Sequence, residues 1–490
     1  MGDTANKQPI ILGTEKFNSF FQLHLNVRFI QLQCVDYTST VRVRVVTIRH
    51  FQKLLENETH LKLGRRYLFL PDPGPRFVGR DPGRRTGRSY LIPDFNSIHL
   101  HPGHDDHAVV YCYFGDGPED CKDATGTEPG HVAHVTFAGS VCPRRALQQA
   151  LDEAEHHGLR FLVGFELEFT GRRVKKKQRD QDDMIPQVHQ VSGLRTMEEF
   201  MMPLLCRITD ALEAVGVPIQ QFHCGWGNIP EELNTDSFPA MEEEDVQGGV
   251  ADVRNYELVT GPLPPMEAVD ALTTTKETAR RLCRHNDVEL TFNALPPHCN
   301  SLHANLSVQS IHDRQDHKSM QEHFLAGVLE HADALCAFAC VRPESYRRLK
   351  PGLGCAGRFN KDVAVRQRRP GCWEMRLPDP AAQMYLYMAA VIIAGLSGVK
   401  SRTKLVLKDC PVDPAMLSEE ERFSYGITKQ LPSSPTEAFE ALMRDRLLVE
   451  NIGQELVETY VSVQSEFNRR LEYRGPIGTA ERRKWLAART

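Results

Sequence analysis

Two glutamates lie two residues apart in an otherwise apolar segment, FLVGFELEFT (residues 161–170). Side chains alternate between the two faces of a β-strand, so Glu166 and Glu168 would point the same way, about 6.5–7 Å apart along the strand. Carboxylates this close repel each other strongly at low dielectric constant unless a cation lies between them. The segment therefore predicts either a strand with one solvated face or part of a metal site that needs further ligands.

Three later segments carry side chains that could complete such a site. Glu257 lies in a predicted strand within the segment VRNYELVTGPLPPMEAVDAL, and His303 lies on an alternating segment, NSLHANLSV. A third region, from SYRRL to WEMRLPDP, places alternating charge among apolar residues: Arg348, Arg366, Glu374 and Arg376. Each of these has a structural explanation when taken alone, because a single histidine is commonly a core or surface residue and Glu-x-Arg on a strand is commonly a cross-strand ion pair.

The composition is that of an ordinary globular protein. The 490 residues are 41% hydrophobic and 25% charged, and the net charge of -5 predicts neither nucleic acid nor an anionic membrane as a partner. Thirteen cysteines without a C-x-x-C pair favour a reducing compartment, and the N-terminal residues lack the pattern of a secretory signal. The most apolar part of the longest uncharged run, residues 384–399, is shorter than the roughly 20 residues that span a bilayer. We therefore expect a cytoplasmic protein in which this run is a buried helix.

The N-terminal part of the chain predicts a small α+β unit. Residues 28–56 alternate like two strands around a turn at residues 37–39 and continue into a short helix. Residues 71–90 are rich in Pro, Gly and Arg and predict a loop. The arginines of this loop could contact phosphate, although a solvated basic loop is the favoured interpretation: Arg76, Arg80, Arg84, Arg85 and Arg88.

The rest of the chain mixes strands with amphipathic helices. Helices are predicted at residues 143–158, 264–285, 315–340, 379–396 and 434–472. One predicted strand follows the second helix at residues 288–294, and residues 225–250 are acidic and irregular. We expect a small N-terminal domain at residues 1–135 and one large α+β domain at residues 136–490.

Six motifs follow one another in the order found in glutamine synthetase, the ATP-dependent glutamate–ammonia ligase. They are GFELEF, RNYE, CNSLHAN, SYRRL, NKDVAVR and WEMRLPDPAA, of which the last is the most specific. The chain resembles this family over nearly its whole length, and it looks closest to the divergent glutamine synthetase-like proteins of fungi. The resemblance implies an α+β fold with a small N-terminal β-grasp-like domain and a large catalytic domain, whose curved antiparallel sheet is flanked by helices. It also implies a homo-oligomeric ring with active sites between neighbouring subunits.

The resemblance assigns metal ligands to this sequence. Glu166, His303 and Glu374 match the ligands of one metal ion, and Glu168 and Glu257 match two of the three carboxylates that hold another. The implied ions are Mg²⁺ or Mn²⁺, because both prefer oxygen ligands and one histidine favours Mn²⁺ slightly.

The resemblance also implies how substrates are held. Arg348 and Arg376 match contacts to glutamate and phosphate, and Arg366 matches an arginine that contacts the nucleotide phosphates. Ser307 matches a residue of the nucleotide pocket, and Lys361 stands where the family has a phosphate-binding arginine. Metal ions and arginines together suit phosphoryl transfer from ATP to a carboxylate, which needs positioning and charge stabilisation.

Several positions depart from the family pattern. The third carboxylate of the second metal site is replaced by Gly225, or by Gly249 if residues are counted back from Glu257. A long insertion between these positions carries three acids that could replace it: Glu242, Glu243 and Glu244. The flap glutamate that shields the acyl phosphate is replaced by Gly354.

Other departures affect the substrate pockets. Asn305 replaces the second histidine of the family's turn, and the glycines before His303 are replaced by Cys299, Asn300 and Ser301. The arginine-rich loop does not resemble the family's ammonium-binding Asp-Gly-Ser-Ser. An ammonium site depends on clustered negative charge, so these changes predict that the ammonium pocket is lost.

Three hypotheses follow. The first is an ATP-dependent ligase that activates glutamate or a related acid and couples it to ammonia or, in preference, to another amine. The second is a catalytically impaired pseudoenzyme that acts as a binding or scaffold protein. The third is a phosphotransferase that phosphorylates a guanidine or a carboxylate without forming an amide.

Overall fold

The computed structural model describes most of the chain. The described residues are 14–57, 59–71, 88–116, 141–173, 192–198, 201–225, 253–295, 298–311, 317–349, 354–358 and 360–487. The arginines predicted between residues 76 and 85 lie outside these ranges, as do Gly249 and the three acids of the insertion.

A six-stranded sheet forms the N-terminal part of the described chain. Its strands are β1 (Phe29–Val35), β2 (Val41–Thr47), β3 (Leu61–Gly64), β4 (Arg88–Pro93), β5 (His99–His101) and β6 (His104–Asp116). Their order is β2-β1-β6-β4-β3, with β5 paired to β6, and β1 runs parallel to β6. Alternate residues of β1 are buried, as the alternating sequence predicts. Helices α1 (Thr14–Leu23) and α2 (Ile48–Glu56) complete this part, and the predicted strand–turn–strand–helix at residues 28–56 is confirmed.

An eight-stranded sheet carries the candidate site. Its strands are β7 (Leu159–Arg173), β8 (Ile219–Cys224), β9 (Val253–Thr260), β10 (Val288–Thr291), β13 (Leu302–Ser310), β14 (Ala356–Arg358), β15 (Val365–Arg369) and β16 (Cys372–Met375), while β11 (Ala294–Leu295) and β12 (His298–Cys299) form a separate small hairpin. The order is β14-β15-β16-β13-β7-β9-β8, and β10 also pairs with β7. All neighbours are antiparallel except β14 and β15.

The described residues contain thirteen further α-helices. They are α3 (Pro143–His156), α4 (Leu194–Glu198), α5 (Met202–Glu213), α6 (Pro265–His285), α7 (His317–Glu330), α8 (Ala332–Ala339), α9 (Pro343–Arg348), α10 (Met384–Ser401), α11 (Glu419–Ser424), α12 (Pro435–Arg444), α13 (Arg446–Ile452), α14 (Gln454–Glu472) and α15 (Ala480–Ala487). Helix α3 begins with Pro143, and Gly158 follows it with φ +77°, so the predicted start and cap are confirmed.

Helix α10 is the central helix of the core. It is the one helix in the described residues that is long and apolar enough to cross a membrane, but 78% of its apolar stretch is buried inside the protein. It packs against α3 and α7. A Cβ on Gly398 would lie 2.2 Å from the His323 carbonyl oxygen, so only glycine permits this close approach of α7 and α10. The prediction that the uncharged run is a buried helix is confirmed.

Two predicted helices differ from the structure. The single helix predicted at residues 315–340 is two helices, because the backbone leaves helical geometry at His331 (φ −104°, ψ 11°). The helix predicted from residue 379 begins at Met384, after a turn in which Asp379 Oδ1 accepts a hydrogen bond from the Ala381 N–H. The helical region predicted at 434–472 is confirmed, and it consists of three helices separated at Asp445 and at Gly453, where φ is +107°.

Buried polar contacts join the two sheets. Arg144 on α3 pairs with Asp94 of the N-terminal part at 2.9 Å and with Asp270 on α6 at 2.7 Å. The hydrophobic core is continuous across both parts. The domain division at residue 135 stays a prediction, because residues 117–140 lie outside the described ranges.

Candidate active site

Strand register brings the predicted acidic residues onto one face of the eight-stranded sheet. Glu166 on β7 lies opposite His303 on β13, and Glu168 lies opposite Glu257 on β9. Glu374 on β16 lies opposite Asn305, which is two residues beyond His303. Since residues two apart on a strand share a face, these side chains project together.

Three of these side chains converge on one point. Ligand atoms of Glu166, His303 and Glu374 all lie within 4.8 Å of one another. His303 Nδ1 is 3.3 Å from Glu166 Oε2 and 3.4 Å from Glu374 Oε1. Two carboxylates and one imidazole at this spacing form a donor set that suits a divalent ion such as Mn²⁺ or Mg²⁺.

Glu166 is held in its charged form. Burial alone would raise the pKa of this carboxyl, but hydrogen bonds from His303 and Asn305, together with the charge of Arg368, outweigh burial and lower the pKa to about 2. The Asn305 amide donates to Glu166 Oε1 at 2.9 Å. Asn305 therefore orients the Glu166 carboxylate from a position two residues beyond His303 on β13.

Glu374 is completely buried and is surrounded by arginines. Its carboxylate accepts close contacts from Arg366 and Arg376, and Arg368 Nη1 lies 3.3 Å from Oε2. A buried carboxylate needs such partners, because an unpaired buried charge is costly. The arrangement concentrates positive charge beside the acidic cluster, where phosphate groups could be neutralised.

A second acidic pair lies beside the first cluster. The Ser301 N–H donates to Glu168 Oε2 at 2.8 Å. Burial, and then the negative charges of neighbouring glutamates, raise the pKa of Glu257 to about 8. His223 on β8 lies opposite Glu257, and its Nε2 is 3.5 Å from Glu257 Oε1. His223, Glu257 and Glu168 thus form a row across three strands.

An amide network lies beside Gly225, one of the two positions predicted for the missing third carboxylate. A Cβ at Gly225 would lie 2.1 Å from Asn255 Oδ1, so the Asn255 side chain fills the space that a residue 225 side chain would need. Asn255 Nδ2 donates to Asn300 Oδ1 at 2.7 Å, and Asn300 in turn donates to the carbonyls of Thr291 and Asn293. Two departures from the family pattern, Gly225 and Asn300, are therefore parts of one change in packing.

Arg348 contacts backbone rather than open space. Its Nη1 donates to the Arg376 carbonyl at 2.9 Å, and its Nη2 donates to the carbonyls of Leu377 and Pro378. In this arrangement Arg348 holds the turn that follows β16. Its predicted contact with substrate would require it to leave these carbonyls.

The remaining predicted residues lie around the cluster. Ser307 is partly buried on β13, on the same face as Asn305, and Lys361 is exposed in the turn before β15. Gly354 donates its N–H to the Lys429 carbonyl at 2.9 Å, and no carboxylate occupies its place.

Sequence reasoning missed two residues that contact the acids, Arg368 and His223. Both were detectable, because each lies two residues from a candidate residue on an alternating strand: Arg368 from Arg366, and His223 from Gly225.

Comparison with known families agrees with this geometry. The family model for the glutamine synthetase catalytic domain matches residues 140–248 and 241–476, which together are more than half of the chain. The chain belongs to the glutamine synthetase family. The predicted family is thereby confirmed.

Curated relatives are similar over most of the chain. Protein fluG of Emericella nidulans is 28% identical over 98% of this chain, which spans about half the length of that relative. The glutamine synthetase of Pyrococcus woesei is 27% identical over 64% of this chain and 68% of its own length. The gamma-glutamylpolyamine synthetase of Streptomyces coelicolor is 27% identical over 68% of this chain and 71% of its own length.

Solved structures share the fold. A GmaS/ADP complex aligns with a TM-score of 0.69 at 18% identity, covering 96% of this chain and 98% of that one. A structure described as a novel glutamine synthase homolog aligns with a TM-score of 0.66 at 21% identity, covering 94% of this chain and 98% of that one. The predicted α+β fold of the glutamine synthetase type is confirmed.

Proposed function

We propose that this member of the glutamine synthetase family is an ATP-dependent ligase that forms a carbon–nitrogen bond. It activates glutamate or a related carboxylic acid as an acyl phosphate and couples it to an amine, with an amine other than ammonia as the preferred substrate. The observation that carries the proposal is the convergence of Glu166, His303 and Glu374 within 4.8 Å, with arginines directly beside them.

The proposal includes two divalent ions, and the three ligand atoms for the first already lie within 4.8 Å of one another. Glu166, His303 and Glu374 would hold one ion, and Glu168 and Glu257 would hold the other with His223 as a nitrogen ligand in place of the lost carboxylate. Mixed nitrogen and oxygen ligands favour Mn²⁺ over Mg²⁺. Divalent ions there would neutralise and orient the phosphates of ATP.

The chain's own residues would position the reactants. Arg366, Arg368 and Arg376 present positive charge next to Glu374, where the phosphate to be transferred would lie. A carboxylate oxygen of the acid would attack the γ-phosphorus, and ADP would leave as the bond to its bridging oxygen breaks. The amine nitrogen would then attack the acyl carbon and lose a proton, and inorganic phosphate would leave with one oxygen of the original carboxylate. Arg348 would act as a positioning residue through the carbonyls of residues 376–378.

Two losses support an amine larger or less charged than ammonium. Gly354 leaves the flap position without a carboxylate, and Gly225 with Asn255 replaces another acid by an amide. Less negative charge weakens the capture of a small cation. The similarity to a gamma-glutamylpolyamine synthetase agrees with this preference.

ADP release in the presence of Mn²⁺, glutamate and a panel of amines tests the proposal. The panel should contain ammonia, methylamine, ethanolamine and a diamine, and mass spectrometry should identify any amide. We expect ADP and amide in equal amounts with at least one organic amine and a lower rate with ammonia. Absence of ADP release with every acid and amine would contradict the proposal.

A binding or scaffold protein is the second candidate function. The observation that favours it is the complete pairing of Glu374 by arginines and the use of Arg348 on backbone carbonyls, since these charges are stabilised without any ion. It predicts no nucleotide turnover and no shift of the unfolding temperature with Mn²⁺. The ligase predicts a rise in that temperature, because an ion that binds only the folded chain stabilises it.

The remaining expectations are also part of the proposal. We propose a homo-oligomeric ring and a cytoplasmic location, with neither nucleic acid nor a membrane as partner. A ring would give a solution mass that is a multiple of 55.5 kDa.

A further inference from the structure

Four histidines lie within nine residues of the N-terminal sheet, in the segment HLHPGHDDH. The segment forms strand β5, a tight turn and the start of β6, and His101 lies opposite His104 in the register of this hairpin. These residues are on the six-stranded sheet, whereas the acidic cluster is on the eight-stranded sheet. The candidate active site does not use them.

Three of the imidazoles are clustered. The ring centroids of His101 and His104 are 4.8 Å apart, those of His104 and His107 are 5.1 Å apart, and those of His101 and His107 are 6.3 Å apart. Three imidazoles bound to one tetrahedral ion through nitrogen at about 2.0–2.1 Å have centroids roughly 5 Å apart. The spacings of His104 to His101 and to His107 match this value, whereas the spacing between His101 and His107 is longer.

His107 already has the partner that a metal-binding histidine requires. Its Nδ1 lies 2.8 Å from Asp106 Oδ1, and its ring stacks on Phe29 at 4.9 Å. A carboxylate that accepts the N–H of one ring nitrogen leaves the other as a free donor to a metal and fixes the ring orientation.

His101 supplies an unpaired nitrogen. Its Nδ1 is buried and has no hydrogen-bond partner among the described residues. Buried polar atoms are rarely left unpaired, so this nitrogen is available to a ligand. His104 is exposed at the start of β6, and its ring contacts those of His101 and His107.

Arg281 packs against the turn between the two strands. Its guanidinium lies against Gly103 and donates to the Pro102 carbonyl. This positive charge repels any cation, so only an ion that bonds strongly to imidazole, as Zn²⁺, Ni²⁺ and Cu²⁺ do, would bind at the hairpin.

We propose that His101, His104 and His107 bind one transition-metal ion, such as Zn²⁺, at a site separate from the candidate active site. Among the described residues, only the acidic cluster already has three ligand atoms within 4.8 Å of one another. The ion therefore draws the ring nitrogens together, chiefly by rotation of the exposed His104.

Zinc titration in the presence of excess Mg²⁺ tests the site, followed by isothermal calorimetry on wild type and variants. We expect His303→Ala, whose acidic cluster is disabled, still to bind one Zn²⁺. In His104→Ala and in His107→Ala, the affinity for this ion should fall at least tenfold. His50→Ala is the matched control, because His50 is another exposed histidine of the N-terminal part, and it should leave the affinity unchanged.

Electron paramagnetic resonance with Cu²⁺ identifies the ligands directly. The proposal predicts hyperfine splitting from three nitrogens in His303→Ala and fewer in the His104→Ala, His303→Ala double variant. Since His104 is exposed, its substitution leaves the fold intact, so unchanged Zn²⁺ affinity and an unchanged Cu²⁺ spectrum would overturn the proposal. If His303→Ala bound no Zn²⁺, the proposed histidine site would also be overturned. That result would say nothing about ligase activity.

Discussion

Glu374 shows how one residue can serve both the fold and the proposed chemistry. It is fully buried, faces His303 and contacts three arginines. The same carboxylate that stabilises buried guanidinium groups is a proposed metal ligand. Stability and activity should therefore both respond to its substitution.

We predict that Glu374→Gln lowers the free energy of unfolding by about 3–5 kcal/mol, because it removes the anionic partner of buried charges. The variant should also lose ATP-dependent amide formation. Urea unfolding and ADP release measure the two effects. The control is Glu289→Gln, because Glu289 pairs with Arg172 at the surface, where the two side chains are 58% and 59% exposed. This substitution should lower the free energy of unfolding by less than about 1 kcal/mol. Equal effects of the two substitutions would contradict the assignment.

Lys276 is a buried residue whose ionisation should make the stability of the protein depend on pH. Burial, and then the nearby charge of Arg280, lower the pKa of this lysine to about 7, and its Nζ donates to the Pro380 carbonyl at 2.6 Å. Between pH 7 and about 10, the unfolded chain holds a proton on this lysine that the folded chain lacks. The cost of burying Lys276 therefore decreases as the pH rises through this window.

We expect wild type to gain about 2 kcal/mol of stability between pH 7 and pH 9 relative to Lys276→Met. Urea unfolding of both proteins at the two pH values measures the difference. The other titrating groups are the same in both proteins, so their contributions cancel in the difference. If the free energies of unfolding of wild type and variant changed equally with pH, the pKa of Lys276 would not be lowered.

At the scale of elements, strands β8 and β9 are adapted to each other. Gly225 and Asn255 lie side by side, and a side chain at residue 225 would collide with the Asn255 amide. The glycine at residue 225 is therefore coupled to the amide network on the neighbouring strand.

We predict that Gly225→Ala destabilises the protein by about 1–3 kcal/mol through overpacking. In Asn255→Ala the same substitution should cost less, because the colliding amide is absent. A double-mutant cycle in urea measures this coupling. Additive effects would contradict the proposed relation between the two strands.

Sequence reasoning recovered the strands that carry the acids, because alternation in FELEF and NSLHANLSV reports directly on which residues share a face. It joined the helices at residues 317–330 and 332–339, because the apolar periodicity continues through the break at His331. It also could not supply the cross-strand register that sets Glu374 opposite both Asn305 and Arg366. Register depends on tertiary packing. Only the folded chain therefore shows that a side chain at residue 225 would collide with Asn255.

For the whole molecule, the two sheets share one continuous core and a buried ionic contact through Arg144. The acids and arginines of the candidate active site lie on the larger sheet, and the histidine hairpin lies on the smaller one. The chain has the fold of its family. In our proposal, its departure from ammonia ligation results from the residues at positions 225, 300 and 354, which are Gly225, Asn300 and Gly354.

Transfer of oxygen from the acid to phosphate tests the central claim most directly. Glutamate labelled with ¹⁸O in its side-chain carboxylate would be incubated with ATP, Mn²⁺ and the best amine, and the released phosphate would be analysed by mass spectrometry. An acyl phosphate intermediate predicts one ¹⁸O in phosphate for each amide formed, and none with Glu166→Gln. Phosphate without the label would contradict the ligase mechanism.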